Sequence, residues 1–136
     1  MFFWLSLMGE NDEIEHEVDQ FILAQIDTVP HLEALLLVWN SRPNAWGIEE
    51  MAHRLFLDSG EASAVLENLA RRELIAVSPN NDTWHYHSEP EKDRIVALVS
   101  ATYRQDLIRL ARLIHSKPSA AVREFARAFR FKKERH

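Results

Sequence analysis

The chain has 136 residues, of which 46% are hydrophobic, and its formal net charge is −5. A chain of this length buries most of its apolar surface in one core, so we expect a single compact unit rather than two full domains. The sequence contains no cysteine, which excludes disulfide bonds and thiolate metal sites and is compatible with a reducing compartment. We therefore expect a cytoplasmic protein.

Charge is distributed unevenly along the chain. Residues 1–60 contain 11 Asp or Glu and 2 Lys or Arg, whereas residues 101–136 contain 10 Lys or Arg and 3 Asp or Glu. The negative total argues against a surface devoted wholly to nucleic acid. The basic C-terminal part can still contact an acidic partner or phosphates locally.

The chain begins with an apolar segment, residues 1–8, which an acidic run over residues 10–17 follows. The apolar segment lacks the basic start and the cleavage site of a secretory signal, and it is far shorter than the roughly 20 residues that cross a bilayer. We interpret residues 1–17 as an N-terminal extension and expect no membrane span. Residues 18–88 and residues 89–136 are then two parts of the same compact unit.

Four helices are predicted before any strand. Apolar residues at helical spacing mark a short helix over residues 18–26, and a second helix with a proline near its start covers residues 30–40. Residues 48–55 repeat apolar side chains over two turns. Asp58 and Glu61 have the spacing of a capping box, which opens a fourth helix that ends at residue 72 or 73.

A β-hairpin is predicted next. Residues 74–78 are rich in β-formers, and residues 83–87 alternate in the manner of a strand. The segment Pro79-Asn80-Asn81-Asp82 between them has strong turn chemistry. These two runs therefore predict two antiparallel strands.

Two further helices are predicted after the hairpin. Ser88 and Glu91 have capping-box spacing and open a long helix over residues 89–115, about seven turns. Lys117-Pro118 interrupts this helix, and residues 119–131 form a final amphipathic helix with a basic face.

The order of elements over residues 30–88 resembles the winged helix-turn-helix domains of bacterial transcription regulators, the MarR-like and PadR-like groups in particular. The stretch Ala64 to Ile75 carries the resemblance best, because such domains end the recognition helix with a basic pair, here Arg71-Arg72, and enter the wing through a Leu-Ile step. The resemblance implies a winged helix-turn-helix over these residues. With the two helices predicted after the hairpin, the expected fold is mainly α with a small β-hairpin, a long C-terminal helix and a helical tail. The resemblance also implies that the helix beginning near Ser59 binds the major groove of duplex DNA.

Seven residues are candidates for DNA contact in the arrangement that the resemblance implies. Ser63 and Asn68 can read base edges, and the basic pair can hold phosphates. The full set is Ser59, Ser63, Asn68, Arg71, Arg72, Asn80 and Asn81. Glu61, Glu67 and Asp82 depart from the pattern because they place negative charge where DNA would lie. A winged helix that binds a protein and no nucleic acid is therefore the alternative.

The long predicted helix carries an apolar seam typical of a dimerisation helix. Two-fold pairing through it would separate two recognition helices by about one DNA turn, roughly 34 Å. The seam residues are Ile95, Val99, Tyr103, Leu107, Leu110 and Ile114. Packing of the same seam against the first helix of its own chain is the alternative. The basic tail is a candidate site for a protein partner, and a helix that caps the core is its alternative.

Histidines in the hairpin are the strongest metal candidates in the sequence. His85 and His87 share one face of a strand, and His53 or Asp82 could complete a site, but no third ligand lies in register. No Gly-rich phosphate loop, nucleophile elbow or separated carboxylate pair occurs. We predict no metal, no cofactor and no enzymatic activity.

Overall fold

The computed structural model describes residues 2–80 and 82–118, together with residues 125, 127 and 128. Helices dominate this part of the chain, and one small antiparallel sheet accompanies them. In chain order the elements are α1 (Phe2–Gln25), α2 (Val29–Asn40), α3 (Ile48–Leu55), α4 (Ser59–Arg71), β1 (Ile75–Val77), β2 (Trp84–Tyr86), α5 (Pro90–Gln105) and α6 (Leu107–His115).

One apolar core joins all of these elements. Side chains from α1, α5 and α6 meet in it with side chains from α2, α3, α4 and the sheet. The largest that solvent does not reach are Val18, Ile22, Ile26, Leu32, Leu35, Val38, Met51, Leu66, Leu69, Ile75, Val96 and Leu110. Burial of this many branched side chains is the main source of stability in a chain without disulfides.

The helices α2 and α3 confirm the sequence prediction closely. α2 begins after Thr28, whose hydroxyl accepts a hydrogen bond from the backbone N–H of His31. α3 covers the predicted residues, and Phe56 ends it in the left-handed conformation, with φ 57° and ψ 42°. This conformation reverses the chain, so that the next residues lead directly into α4.

The N-terminus of α4 is held by Asp58. Its Oδ1 accepts a hydrogen bond of 2.7 Å from the backbone N–H of Glu61, which confirms the predicted cap. The inner face of α4 is apolar and packs on α2 and α3; its buried residues are Ala62, Val65, Leu66 and Leu69. α3, the turn and α4 therefore form a helix-turn-helix.

The strands β1 and β2 pair as an antiparallel hairpin, in the register Ile75 to Tyr86 and Val77 to Trp84. Trp46, between α2 and α3, adds a single bridge on the other side of β2, with reciprocal backbone hydrogen bonds of 2.7 and 2.8 Å to Trp84. The hairpin was predicted from its turn residues, whereas the bridge was not. With it, the described elements form a winged helix-turn-helix, and the predicted fold class is confirmed.

The prediction for the N-terminal region was wrong in one respect. The short helix predicted from residue 18 is the end of a helix that begins at Phe2, so the predicted boundary of the extension at residue 17 lies inside α1. Residues 2–25 contain no proline, and their glutamates are good helix formers. The helix therefore continues through the acidic run, and the buried side chains Val18 and Ile22 anchor it.

The long helix predicted over residues 89–115 is two helices. The chain leaves helical geometry at Asp106, with φ −150° and ψ 62°, and the Asp106 carboxylate accepts from the backbone N–H of Arg109. An aspartate stabilises a helix start better than a helix interior, so α6 begins anew after it. Apolar periodicity did not reveal a break of one residue.

The capping box predicted for Ser88 and Glu91 was also wrong. Glu89 is the residue before α5, and no side chain caps it. The Ser88 hydroxyl donates instead to Asp93, which also accepts from the hydroxyl of Tyr86 at 2.6 Å and from the backbone N–H of Glu89 at 3.1 Å. Asp93 thus joins the end of the hairpin to α5.

The final helix predicted over residues 119–131 lies outside the described residues, apart from Phe125, Arg127 and Ala128. These three are exposed, and Phe125 is in helical conformation. Among the described residues no single helix is long and apolar enough to span a membrane. The pair Asp12–Gln25 and Val29–Asn40 meets the length and composition criteria together, with a bend of 113° between the two helices.

Candidate nucleic-acid interface

The outer face of α4 consists of residues that point away from the core. Its members are Gly60, Glu61, Ala64, Glu67 and Arg71, and all five are exposed. Two of them have small side chains or none, so a partner can approach the helix backbone closely there. The other three carry charge, two negative and one positive.

Ser59 and Ser63, two predicted DNA contacts, lie beside this face. The Ser59 hydroxyl donates to Glu49 Oε1 of α3 at 2.8 Å, and the Ser63 hydroxyl donates to Glu67 Oε1 at 3.4 Å. Ser59 is exposed and Ser63 is half-buried. Both hydroxyls keep acceptor capacity for a base edge or a phosphate-bound water.

Arg71 is the predicted contact whose position suits phosphate best. It is exposed near the C-terminal end of α4 and borders a cavity of about 450 Å³ between α4 and the hairpin. Its lining includes the apolar side chains of Val77 and Trp84 together with Glu67.

Asn68 and Arg72 do not reach the outer face. Arg72 Nη2 lies 3.2 Å from Asp27 Oδ1 and 3.3 Å from Oδ2, and Arg72 Nη1 donates to the backbone oxygen of Ala24 at 2.9 Å. Asn68 Nδ2 donates to the same carboxylate at 3.3 Å, and Asn68 Oδ1 accepts from Arg72 Nε. The structure therefore divides the predicted basic pair, because Arg71 faces solvent and Arg72 faces the junction of α1 and α2.

The wing tip is polar and acidic. Asn80 is exposed, and Asn81 lies outside the described residues. Asp82 Oδ1 accepts from the Ser78 hydroxyl at 2.8 Å, which helps to close the turn. The sequence from Ile75 to Tyr86 contains no lysine or arginine, so this hairpin brings no positive charge of its own.

Carboxylates dominate the side of the molecule that α3 and α4 present to solvent. Glu49 and Glu50 lie in the first turn of α3, and Asp58 lies just before α4. Hydrogen bonds from the backbone and then the side chain of Glu61 lower the pKa of Asp58, which therefore keeps its charge in mild acid. Arg54 at the end of α3 and Arg71 supply the opposing positive groups.

The predicted dimerisation seam is mostly used within the chain. Val99, Leu110 and Ile114 are buried in the chain's own core. Ile95 and Tyr103 are half-buried against that core. Leu107 is exposed, together with its neighbour Ile108, which is 65% exposed. The surface left for a second chain on α6 therefore centres on these last two residues.

The hairpin histidines lie apart from any ligand cluster. His85 is exposed, and His87 Nε2 lies 3.2 Å from Glu89 Oε1 in a partly exposed pair. Among the described side chains no group of three or more His, Cys, Asp or Glu is placed to hold a metal ion.

Two residues at the inner end of α4 were not predicted from sequence. Asp27 accepts from Asn68 and Arg72, and Lys117 Nζ donates to the backbone oxygen of Ile26 at 2.6 Å. Their partners are 41 to 91 positions away in the chain, so no local pattern indicated them.

No protein-family model matches the chain, and no curated protein matches it. Solved structures of similar fold include MepR, a transcription regulator of the Staphylococcus aureus multidrug efflux pump MepA, at 17% identity and a TM-score of 0.49, with 98% of this chain and 96% of that chain covered. The YusO protein from Bacillus subtilis has 18% identity and a TM-score of 0.49 over 97% of this chain and 92% of that chain. The multiple antibiotic-resistance repressor MarR from Listeria monocytogenes has 11% identity and a TM-score of 0.48 over 97% and 91%. At these values the likeness is too distant to carry functional information.

Proposed function

We propose that this chain is a DNA-binding transcriptional regulator that docks α4 in the major groove of duplex DNA. The observation that carries the proposal is the arrangement of α4, which packs its apolar face on α2 and α3 and leaves its outer face exposed beside the hairpin. A helix held across a second helix in this way can enter a groove about 12 Å wide.

The side chains on and beside the outer face divide into those that can contact bases and those that can bind the phosphate backbone. Ser59 and Ser63 lie in the first turns of α4, where hydroxyls can contact base edges, and Gly60 and Ala64 allow close approach. In this proposal the exposed Arg71 binds a phosphate, and the exposed Asn80 at the wing tip contacts the flanking backbone. Neither catalysis nor a cofactor enters this function.

We further propose that the protein acts as a homodimer in the bacterial cytoplasm. In this arrangement residues 18–88 contact DNA, and residues 89–136 join two chains. The exposed apolar side chains Leu107 and Ile108 on α6, together with the partly exposed Ile14 on α1, favour such an association. A dimer would present two copies of α4 to successive major grooves.

A second candidate function is a protein-binding adaptor. It is favoured by Glu61 and Glu67 on the outer face of α4 and by Asp82 at the wing tip, because these carboxylates repel phosphate. A partner with a basic surface would complement the same face.

The two candidates differ in how binding responds to salt and to charge. For DNA, affinity of the protein for a labelled pool of random-sequence duplexes falls steeply with salt. Arg71→Ala weakens binding and reduces the magnitude of the log–log salt slope by about 1, because one phosphate contact is lost. The double variant Glu61→Gln, Glu67→Gln strengthens binding roughly fivefold at low salt, because repulsion at close range is removed.

Arg104→Ala is the matched control, since Arg104 is exposed at the end of α5 and outside the helix-turn-helix. Fluorescence anisotropy of the duplex pool at several salt concentrations gives all four slopes. Absence of duplex binding at low salt, or a slope that Arg71→Ala leaves unchanged, would favour the adaptor.

A further inference from the structure

The junction between α1 and α2 contains one carboxylate on which three parts of the chain converge. Asp27 lies between the end of α1 and Thr28, the residue that caps α2. Its side chain is about one quarter exposed, at 26%. The groups around it come from α4 and from the residues just after α6.

From α4, Arg72 contributes most of the contacts. Its guanidinium faces both carboxylate oxygens of Asp27 through Nη2 and the backbone oxygen of Ala24 through Nη1. Its Nε donates to Asn68 Oδ1 at 3.2 Å, and the Asn68 amide in turn donates to Asp27. Arg72, Asn68 and Asp27 thus form a closed triangle that fixes the C-terminal end of α4 to the end of α1.

From the other side, Lys117 ties the end of α6 to the same junction. Lys117 Nζ donates to the backbone oxygen of Ile26 and lies 3.8 Å from Asp27 Oδ1. Its side chain is only 8% exposed, so solvent screens this contact less than a surface pair. His31 also borders the junction, and its pKa is lowered by burial, with Asp27 opposing the shift.

A guanidinium used in this way is not available to a phosphate. Arg72 meets four acceptor atoms within the chain, whereas its neighbour Arg71 is exposed. Removing Arg72 or the charge of Asp27 weakens this partly buried charge network, so the C-terminal end of α4 is held less firmly and can shift.

We propose that Arg72 and Asp27 are positioning residues that set the angle of α4 relative to α1 and α6, and that Arg72 influences DNA binding only through Asp27. This inference rests on the proposed function. The junction can also transmit a displacement of α1 or α6 to α4, because groups at the ends of all three helices lie next to the carboxylate of Asp27.

The first test is DNA affinity of the full chain, measured with the random-sequence duplex pool. Arg72→Ala and Asp27→Asn each weaken binding on the order of tenfold while the salt slope stays at the wild-type value. The double variant Asp27→Asn, Arg72→Ala loses less affinity than the sum of the two single losses, because both changes remove the contact between Arg72 and Asp27.

Arg71→Ala is the matched comparison, because the neighbouring arginine changes the slope as well as the affinity. A reduction of the slope by about 1 in Arg72→Ala would overturn the inference, since it would show a direct phosphate contact. Additive losses in the double variant would overturn it as well. Circular dichroism at the assay temperature confirms that each variant is folded before its affinity is compared.

A second measurement does not depend on DNA. Hydrogen exchange of the backbone amides at residues 69–74 is faster in Asp27→Asn than in wild type, whereas exchange at the N-terminal end of α4 is unchanged. If the wild-type chain binds no duplex, the proposed function is wrong, and this exchange pattern alone decides the positioning role. Unchanged exchange at residues 69–74 would then overturn the inference.

Discussion

The winged part of the molecule (α2, α3, α4 and the hairpin) and the helical arms (α1, α5 and α6) are held together differently. In the winged part, aromatic and aliphatic side chains interlock; Trp39 and Tyr86, for example, make an edge-to-face contact with ring centroids 4.9 Å apart. In the arms, a similar apolar seam carries a rim of ion pairs. Arg94 Nη1 lies 2.8 Å from Glu17, and Arg109 Nη1 lies 2.7 Å from Asp19.

This difference indicates which part responds to its surroundings. Apolar burial is insensitive to moderate salt, whereas partly exposed ion pairs are screened. Salt can therefore change how tightly the arms pack on one another. The junction at Asp27 connects the arms to α4.

The largest expected effect comes from truncating one buried leucine in each part. Leu66 in the winged part and Leu110 in the arms are both inaccessible to solvent. We expect Leu66→Ala and Leu110→Ala each to lower the free energy of unfolding by about 2–5 kcal/mol, because each leaves a cavity. Urea unfolding followed by circular dichroism measures both. If Leu110→Ala instead produces a separate early transition, the two parts do not share one cooperative core.

The next effect concerns Asp93, where the hairpin meets α5. Hydrogen bonds from Ser88 and then Tyr86 lower the pKa of Asp93 below 3.8, while burial and then Asp93 raise the pKa of the Tyr86 hydroxyl. A carboxyl group whose pKa is lower in the folded than in the unfolded state stabilises the fold at pH values above the unfolded-state pKa. This contribution is lost as the pH falls through the folded-state pKa.

We therefore expect Asp93→Asn to lower the free energy of unfolding by about 1 kcal/mol at neutral pH. The deficit shrinks as the pH falls below 3.8 toward the lower folded pKa, because wild-type Asp93 becomes protonated too. Urea unfolding at a series of pH values tests this. A deficit that stays constant in acid would mean that the charge of Asp93 does not stabilise the junction of hairpin and arm.

A smaller effect is expected at the rim of the arms. Arg109→Ala removes the pair with Asp19 and a weaker contact with Glu15 at 3.6 Å. Because the Arg109 side chain is 29% exposed, we expect a loss of roughly 0.5–1 kcal/mol at low salt, which diminishes as salt is added.

Arg112→Ala is the control for Arg109, because Arg112 is exposed on the same helix. Thermal unfolding at low and high salt compares the two variants. Equal losses for both, or a loss for Arg109→Ala that salt does not reduce, would remove the distinction between the apolar contacts of the winged part and the ion-pair rim of the arms.

The smallest effect is a gain in the winged part. Phe56 is 95% exposed and holds φ at 57°, a region that costs most side chains about 1 kcal/mol. Phe56→Gly relieves this cost, and the added flexibility of the unfolded chain offsets part of the gain, so we expect a net increase of a few tenths of a kcal/mol. Phe56→Ala is the control, because it removes the ring and keeps the strained conformation. An increase for both variants would assign the effect to the exposed ring.

Local signals in the sequence accounted for most of the winged part. The limits of α3, the Asp58 cap of α4 and the hairpin turn all depend on residues within a few positions of one another. Such signals act through backbone geometry and nearby hydrogen bonds, so they can be recognised in the sequence before the tertiary structure is known. The same kind of signal failed at Ser88, where Asp93 competes for the hydroxyl.

Tertiary structure decided which of the predicted DNA-contacting side chains face solvent and which face the rest of the chain. Arg71 and Arg72 are neighbours in the sequence with the same side chain, yet only Arg72 meets Asp27, which lies 45 positions earlier. The burial of Val99, Leu110 and Ile114 was likewise decided by tertiary packing, in which α5 and α6 both contact α1.

From its sequence alone this chain could be assigned a mainly helical fold, a helix-turn-helix followed by a wing, and an uneven distribution of charge. The tertiary structure determined which charged side chains meet solvent and which hold helices together. The physical reason is that helix periodicity and turn chemistry are properties of short segments, whereas the partner of a long, flexible arginine depends on which distant backbone the fold brings within about 3 Å of it.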